Sequence, residues 1–214
     1  MSEQTTYPLA QRFSVGFSAY EDRLLLTTEL REQGPTTVLL TRRMVLLMLK
    51  QILNKLPALT GLEQTPVAYW QEVLELSHRQ AIEQHKQATA SDKSKADAPA
   101  PSEQAPTDAA QANEAEEPSP ANAATSSLYL ATELTTQLTN DQLQLAFKGL
   151  PVPEAMQTPC QHVPVLALSL DATQVHQVIQ LLITQAAKAM WHLPVDLPWL
   201  EAKSSNKPTQ TLSH

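Results

Sequence analysis

Ala90–Ser127, ASDKSKADAPAPSEQAPTDAAQANEAEEPSPANAATSS, contains no glycine and almost no large apolar side chain. Such a composition buries too little apolar area to offset the entropy of ordering the chain, so it reads as a disordered Ala/Pro/acidic linker. Its prolines favour extended conformations and its carboxylates repel one another, which makes it a stretched tether rather than a compact loop. On both sides of it the sequence follows one layout: three short strands, then an apolar helix.

Ahead of the linker, Phe13, Val15, Phe17 and Ala19 alternate with small and polar residues, the period-2 pattern of a half-buried strand. Tyr20-Glu21-Asp22-Arg23 turns the chain, Leu24 to Leu30 alternates again, and Gln33-Gly34-Pro35 marks a second reversal before a strand from Thr36 to Thr41. Three strands joined by short turns imply an antiparallel meander. Thr41 can cap a helix over Met44 to Leu56, which Pro57 is expected to stop. Thr65 and Pro66 signal a second helix. Its apolar side is carried by Val67, Trp70, Val73, Leu74 and Ile82, and it should fray into the linker near Ala88.

Beyond the linker, Leu128, Leu130, Thr132 and Leu134 alternate with Tyr129, Ala131 and Glu133. Asn140-Asp141 is a turn, Leu143, Leu145 and Phe147 form the next strand, Gly149-Leu150-Pro151 ends it, and a third strand spans Val163 to Leu170. Asp171 with Gln174 makes a capping-box pattern. Val175, Val178, Ile179, Leu182, Ile183, Ala186 and Met190 then recur at helical spacing. The helix should end near Trp191-His192, and Leu197, Trp199 and Leu200 should fold back as a docked tail.

The fold class read from this is α+β, built as two pseudo-repeated βββα halves, antiparallel meanders covered by helices. The divisions are 1–89 for the first half with its extra helix, 90–127 for the linker, 128–200 for the second half with its tail, and 201–214 for a flexible C-terminus. Each half alone offers a small core. Together they are expected to share one, with the two sheets pairing or packing and the helices on one side.

Residues 1–90 carry 9 basic and 9 acidic side chains, residues 91–127 carry 2 and 7, and residues 128–214 carry 4 and 6, so the net charge of −7 lies mostly in the linker. A near-neutral body offers no broad basic surface for a phosphate backbone, which makes nucleic acid an unlikely partner. The longest fully apolar run, Met44 to Leu49, is far short of the roughly 20 residues that span a bilayer. With no secretory pattern at the start and Cys160 as the only cysteine, a cytoplasmic location is expected.

The four glycines, Gly16, Gly34, Gly61 and Gly149, are widely separated, so no phosphate-cradling loop is present, and no nucleophile elbow or His-Glu-x-x-His pair occurs. Cys160 and His162 share a loop, but a structural zinc site takes four ligands and no second cysteine exists. His78 and His85 lie about 10 Å apart along a helix, too far for one ion, and read as a solvated face. No catalytic residue, cofactor or metal is expected.

Four residues stand out for partner binding. Arg42 and Arg43 open a helix where the macrodipole disfavours cations, so they could meet an acidic partner or the linker; ion pairs to Glu29 or Glu32 are the alternative. Trp191 and Trp199 are large amphipathic side chains of the kind that anchor interfaces, while Trp70 at helical spacing reads as core. The expected function is a non-catalytic cytoplasmic protein–protein interaction protein, an adaptor or assembly subunit, with another protein or itself as partner and no membrane. The alternative is a single-stranded nucleic-acid binder using Tyr7, Phe13, Phe17 and Tyr20 with Arg12 and Arg23. An enzyme would need His162, His176, Asp171 or Glu133 brought together by the fold.

Overall fold

The alternating segments of the first half form three antiparallel strands, β1 (Ala10–Ser18), β2 (Arg23–Leu30) and β3 (Gly34–Leu40). Those of the second half form β4 (Ser127–Thr139), β5 (Gln142–Val152) and β6 (Val163–Leu170), again antiparallel. The two meanders do not stack as separate sheets. β3 and β4 pair in parallel, Val38 beside Tyr129 and Leu39 beside Leu130, so all six strands join one mixed sheet in sequence order. This computed structural model describes residues 6–30, 34–96, 127–139, 141–195 and 197. The acidic stretch at 97–126, Glu32, Asn140, Trp199, Leu200 and the 201–214 terminus lie outside them.

Four helices complete the α+β fold: α1 (Arg42–Leu59), α2 (Trp70–Ala96), the four-residue α3 (Glu154–Gln157) and α4 (Ala172–Lys188). Thr41 caps α1, its hydroxyl accepting the Met44 N–H at 3.1 Å. Pro57 does not stop α1 but sits inside its last turn. Proline removes a ladder hydrogen bond there, and the Thr60 N–H and hydroxyl, both donating to the Leu56 carbonyl at 3.0 and 2.8 Å, close the end instead. At α4 the reciprocal cap forms as the sequence suggests, with the Gln174 N–H on Asp171 at 2.8 Å and the Asp171 N–H on Gln174 at 3.0 Å.

α1 and α4 touch each other and cover one face of the sheet. In-register rows supply that face: Phe17–Leu24–Leu40 and Val15–Leu26–Val38 from the first half, Leu134–Phe147–Leu166 and Leu138–Leu143–Leu170 from the second. Met48, Leu49, Ile52 and Leu56 of α1 and Val175, Val178, Ile179 and Leu182 of α4 close the shared interior. The outermost strands also meet at one point, where Leu9 bridges Ala167 and the Ala167 N–H donates to the Pro8 carbonyl at 2.8 Å.

Two strand readings are corrected by the geometry. The even alternation read from Leu128 to Leu134 is broken by a bulge between Ala131 and Glu133. One extra residue reverses which side chains face inward, so Tyr129 and Leu134 pack on the core while Leu130 joins Leu25, Leu39 and Leu150 in a row on the other face. Gly149-Leu150-Pro151 does not end β5, which continues to Val152. A Cβ on Gly149 would lie 2.7 Å from the Leu130 carbonyl oxygen, so glycine is there to let two backbones approach at the bulge.

The last helix ends at Lys188 rather than at Trp191. Met190 takes a left-handed conformation (φ 54°), its N–H donates to the Ala187 carbonyl at 3.0 Å, and the Trp191 N–H donates to Ala186 at 2.9 Å. This Schellman-type reversal turns the chain back over the core, where Leu197 is buried. α2 continues helical past Ala88 to Ala96, consistent with the helix-forming Ala and Lys residues of that stretch.

Candidate functional site

α2 begins from Pro66 through a short 3-10 turn, Val67–Tyr69, and is fixed there by the Trp70 indole N–H donating to the Thr65 carbonyl at 2.8 Å. At about 100° per residue, its apolar side chains separate onto two sides. Leu74 packs against the core, and His78 and Ala81 are buried where α2 meets α4. Tyr69, Val73 and Leu76 point the other way, with Val67 beside them, at exposures of 56, 37, 63 and 73%.

The inward side is a polar lock within an apolar contact. His78 Nε2 lies 3.0 Å from Gln180 Oε1, and the Gln180 amide nitrogen donates to the Thr184 hydroxyl at 3.1 Å, which leaves Oε1 to accept from the imidazole. The His78 and His176 rings meet edge to face at 5.5 Å between centroids. Burial, and then the neighbouring His78, lower the His176 pKa from 6.5 to about 4, so this ring is neutral at neutral pH. His78 is therefore not on a solvated face. His85 lies on the same side two turns further along the helix, where it is exposed.

Arg42 and Trp191 come together, although not as an open surface. The Arg42 guanidinium donates to the His192 carbonyl at 2.7 Å, which supplies an acceptor for a cation placed against the helix dipole. Trp191 is buried, edge-on to Phe17 at 6.5 Å, and its indole N–H donates to Asp22 at 2.8 Å. These contacts tie the end of α4 to the start of α1 and to the β1–β2 turn. Arg43 is exposed, and Trp199 lies outside the described residues. Phe13 and Phe17 pack on the core, leaving Tyr20 fully exposed at the turn.

The fold does assemble one polar group on the outer face of the sheet. Glu133 lies 3.5 Å from both Lys148 Nζ and His162 Nδ1, and the Thr132 hydroxyl is 3.0 Å from the same imidazole nitrogen. All are solvent-accessible, where such pairs contribute little. The Cys160 thiol points back to the Thr158 carbonyl at 3.3 Å. Among the described residues no three His, Cys, Asp or Glu side chains are grouped to hold a metal ion. A cavity of about 360 Å³ lies between the ends of α1 and α4 and the middle of α2; its polar lining is Thr60, Ser77, Gln80, Gln84, Thr173 and His176, with no carboxylate or cation among them.

The surface that sequence reading missed is the outward stripe of α2. The sequence pattern puts Val67 and Val73 with Trp70, Leu74 and Ile82 on one apolar side, but Val73 and Leu74 are adjacent and diverge by about 100°. Placing Tyr69, Val73 and Leu76 on a helical projection separates the two sides. No family model, curated protein or solved structure matches this chain.

Proposed function

We propose that this chain is a non-catalytic interaction protein, an adaptor or assembly subunit, whose binding element is the outward side of α2. The carrying observation is the exposed stripe of Val67, Tyr69, Val73 and Leu76, on α2 and the 3-10 turn that leads into it, with the other side of α2 already packed on α4. Contiguous apolar side chains left in water mark interaction sites more often than scattered ones, and tyrosine is enriched among interface anchors.

The proposal includes the reading of the two βββα segments as pseudo-repeats. Its support is that each is an antiparallel meander leading into a helix capped by a side chain, Thr41 in one and Asp171 in the other. On that reading α1 and α4 correspond, and α2 is an addition to the first half available for another task. A cytoplasmic setting completes the proposal, supported by the solitary Cys160.

The test is a photo-crosslinking amino acid placed at position 76 in cells. A light-dependent adduct with a protein is expected there and not from the same probe at the buried position 182. Absence of any adduct at position 76 removes this reading.

A further inference from the structure

We propose that the partner of the α2 stripe is the α2 of a second copy, packed antiparallel about a two-fold axis between Val73 and Leu76. This rests on the reading of that stripe as the binding surface and names its occupant. Three features of one helix are complementary to themselves when it is turned end for end.

The first is a knob and a hole. Leu76, Arg79, Gln80 and Glu83, at i, i+3, i+4 and i+7, line a shallow groove on the outward side of α2. Four residues at that spacing form the hole that receives one side chain of a facing helix. With Val73 of one copy opposite Leu76 of the other, the side chain brought over that hole is Tyr69, which is more than half exposed. Two-fold symmetry makes the fit twice.

The second is charge. Glu72 and Arg79 lie on the same flank of the stripe, and in an antiparallel two-fold pair each flank meets itself, so Glu72 of one copy comes beside Arg79 of the other. Arg79 already bonds Glu75 at 2.7 Å, which holds its guanidinium along the helix surface. In a parallel two-fold pair each flank would face the opposite flank of the partner, and Glu72 and Arg79 would not meet. The third is the Tyr69 ring itself, which in the hole lies under the Arg79 guanidinium with its hydroxyl directed at Glu83, combining a cation–π contact with a hydrogen bond.

Sedimentation equilibrium of the purified full chain tests this. The expected species is twice the 23.6 kDa chain mass. Leu76→Asp should give the single-chain mass with an unchanged circular dichroism spectrum, since the residue is exposed. Arg79→Glu should weaken association at least about tenfold, the effect of placing like charges across an interface. Glu72→Arg combined with Arg79→Glu should restore it. A wild-type chain that stays monomeric to millimolar concentration overturns the proposal, as does a dimer indifferent to Leu76→Asp or a double charge swap that fails to rescue. The cellular crosslink separates the two readings: a monomeric purified chain with a position-76 adduct to a different protein ends self-pairing and leaves the interaction reading standing, while no adduct ends both.

Discussion

α2 and α4 lie against each other and use their sequences differently. α4 gathers Val175, Val178, Ile179, Leu182 and Ala186 on one buried face, starts from a reciprocal side-chain cap and ends in a Schellman-type reversal. α2 divides its apolar residues between two sides and is entered from a 3-10 turn that lacks a side-chain cap. Among the helices, α4 contacts both α1 and α2 and reaches β1, β5 and β6 of the sheet. One helix buries its hydrophobic residues in the fold, while the other leaves part of them exposed. On the proposed reading, apolar side chains in excess of what packing covers point to the interaction site, and no polar motif does.

The contrast is broken most directly by truncation. Ile179→Ala in α4 removes a fully buried side chain and should cost about 2–5 kcal/mol in denaturant unfolding. Tyr69→Ala at the start of α2 should change stability by no more than about 0.5 kcal/mol once association is suppressed by dilution. Equal costs at both positions would mean that α2 is as integral to the core as α4.

The seam between the two helices should be sensitive to acid. His176 titrates near 4 in the folded protein and near 6.5 when unfolded, so above pH 6.5 both states are neutral and no penalty exists. As pH falls from 6.5 toward 4 the unfolded chain takes the additional proton, and stability declines by up to about 3 kcal/mol, at roughly 1.4 kcal/mol per pH unit. Chemical denaturation across this window should show the decline in the wild type and a shallower slope in His176→Leu. An identical slope in both would place the acid sensitivity elsewhere.

Smaller effects sharpen the difference in how the helices begin. Asp171→Ala removes the cap of α4 and should cost about 1 kcal/mol, read as a lower thermal midpoint. Trp191→Phe keeps the ring against Phe17 but removes the indole N–H bond to Asp22, for about 1 kcal/mol or somewhat more where the carboxylate is left without that donor. A Trp191→Phe protein as stable as the wild type would mean that the tie between the α4 end and the β1–β2 turn is incidental.

Local chemistry was the legible part of this fold. The strand from Val163 to Leu170, the Thr41 cap and the Asp171–Gln174 box all rest on neighbours within a few residues, and each is found where those neighbours put it. What was not legible depends on distant partners. Nothing near Thr132 announces a bulge; it lies where the backbone of Gly149 on the adjacent strand approaches closely. The parallel pairing of β3 with β4 joins residues on opposite sides of the acidic stretch, and Pro57 is tolerated because Thr60 closes the turn after it. His78 looked like a surface residue until Gln180 and His176 came to meet it from α4. Likewise Arg42 and Trp191 acquire partners, His192 and Asp22, that no local spacing indicates.

On the proposed reading the outward side of α2 serves association and not folding. Leu76→Asp, compared with the wild type in one set of sedimentation and denaturant-unfolding runs at matched low concentration, tests it with a single substitution. The expected result is an unfolding midpoint equal to that of the dissociated wild type, together with loss of the double-mass species. A lowered midpoint with the mass unaltered would contradict it.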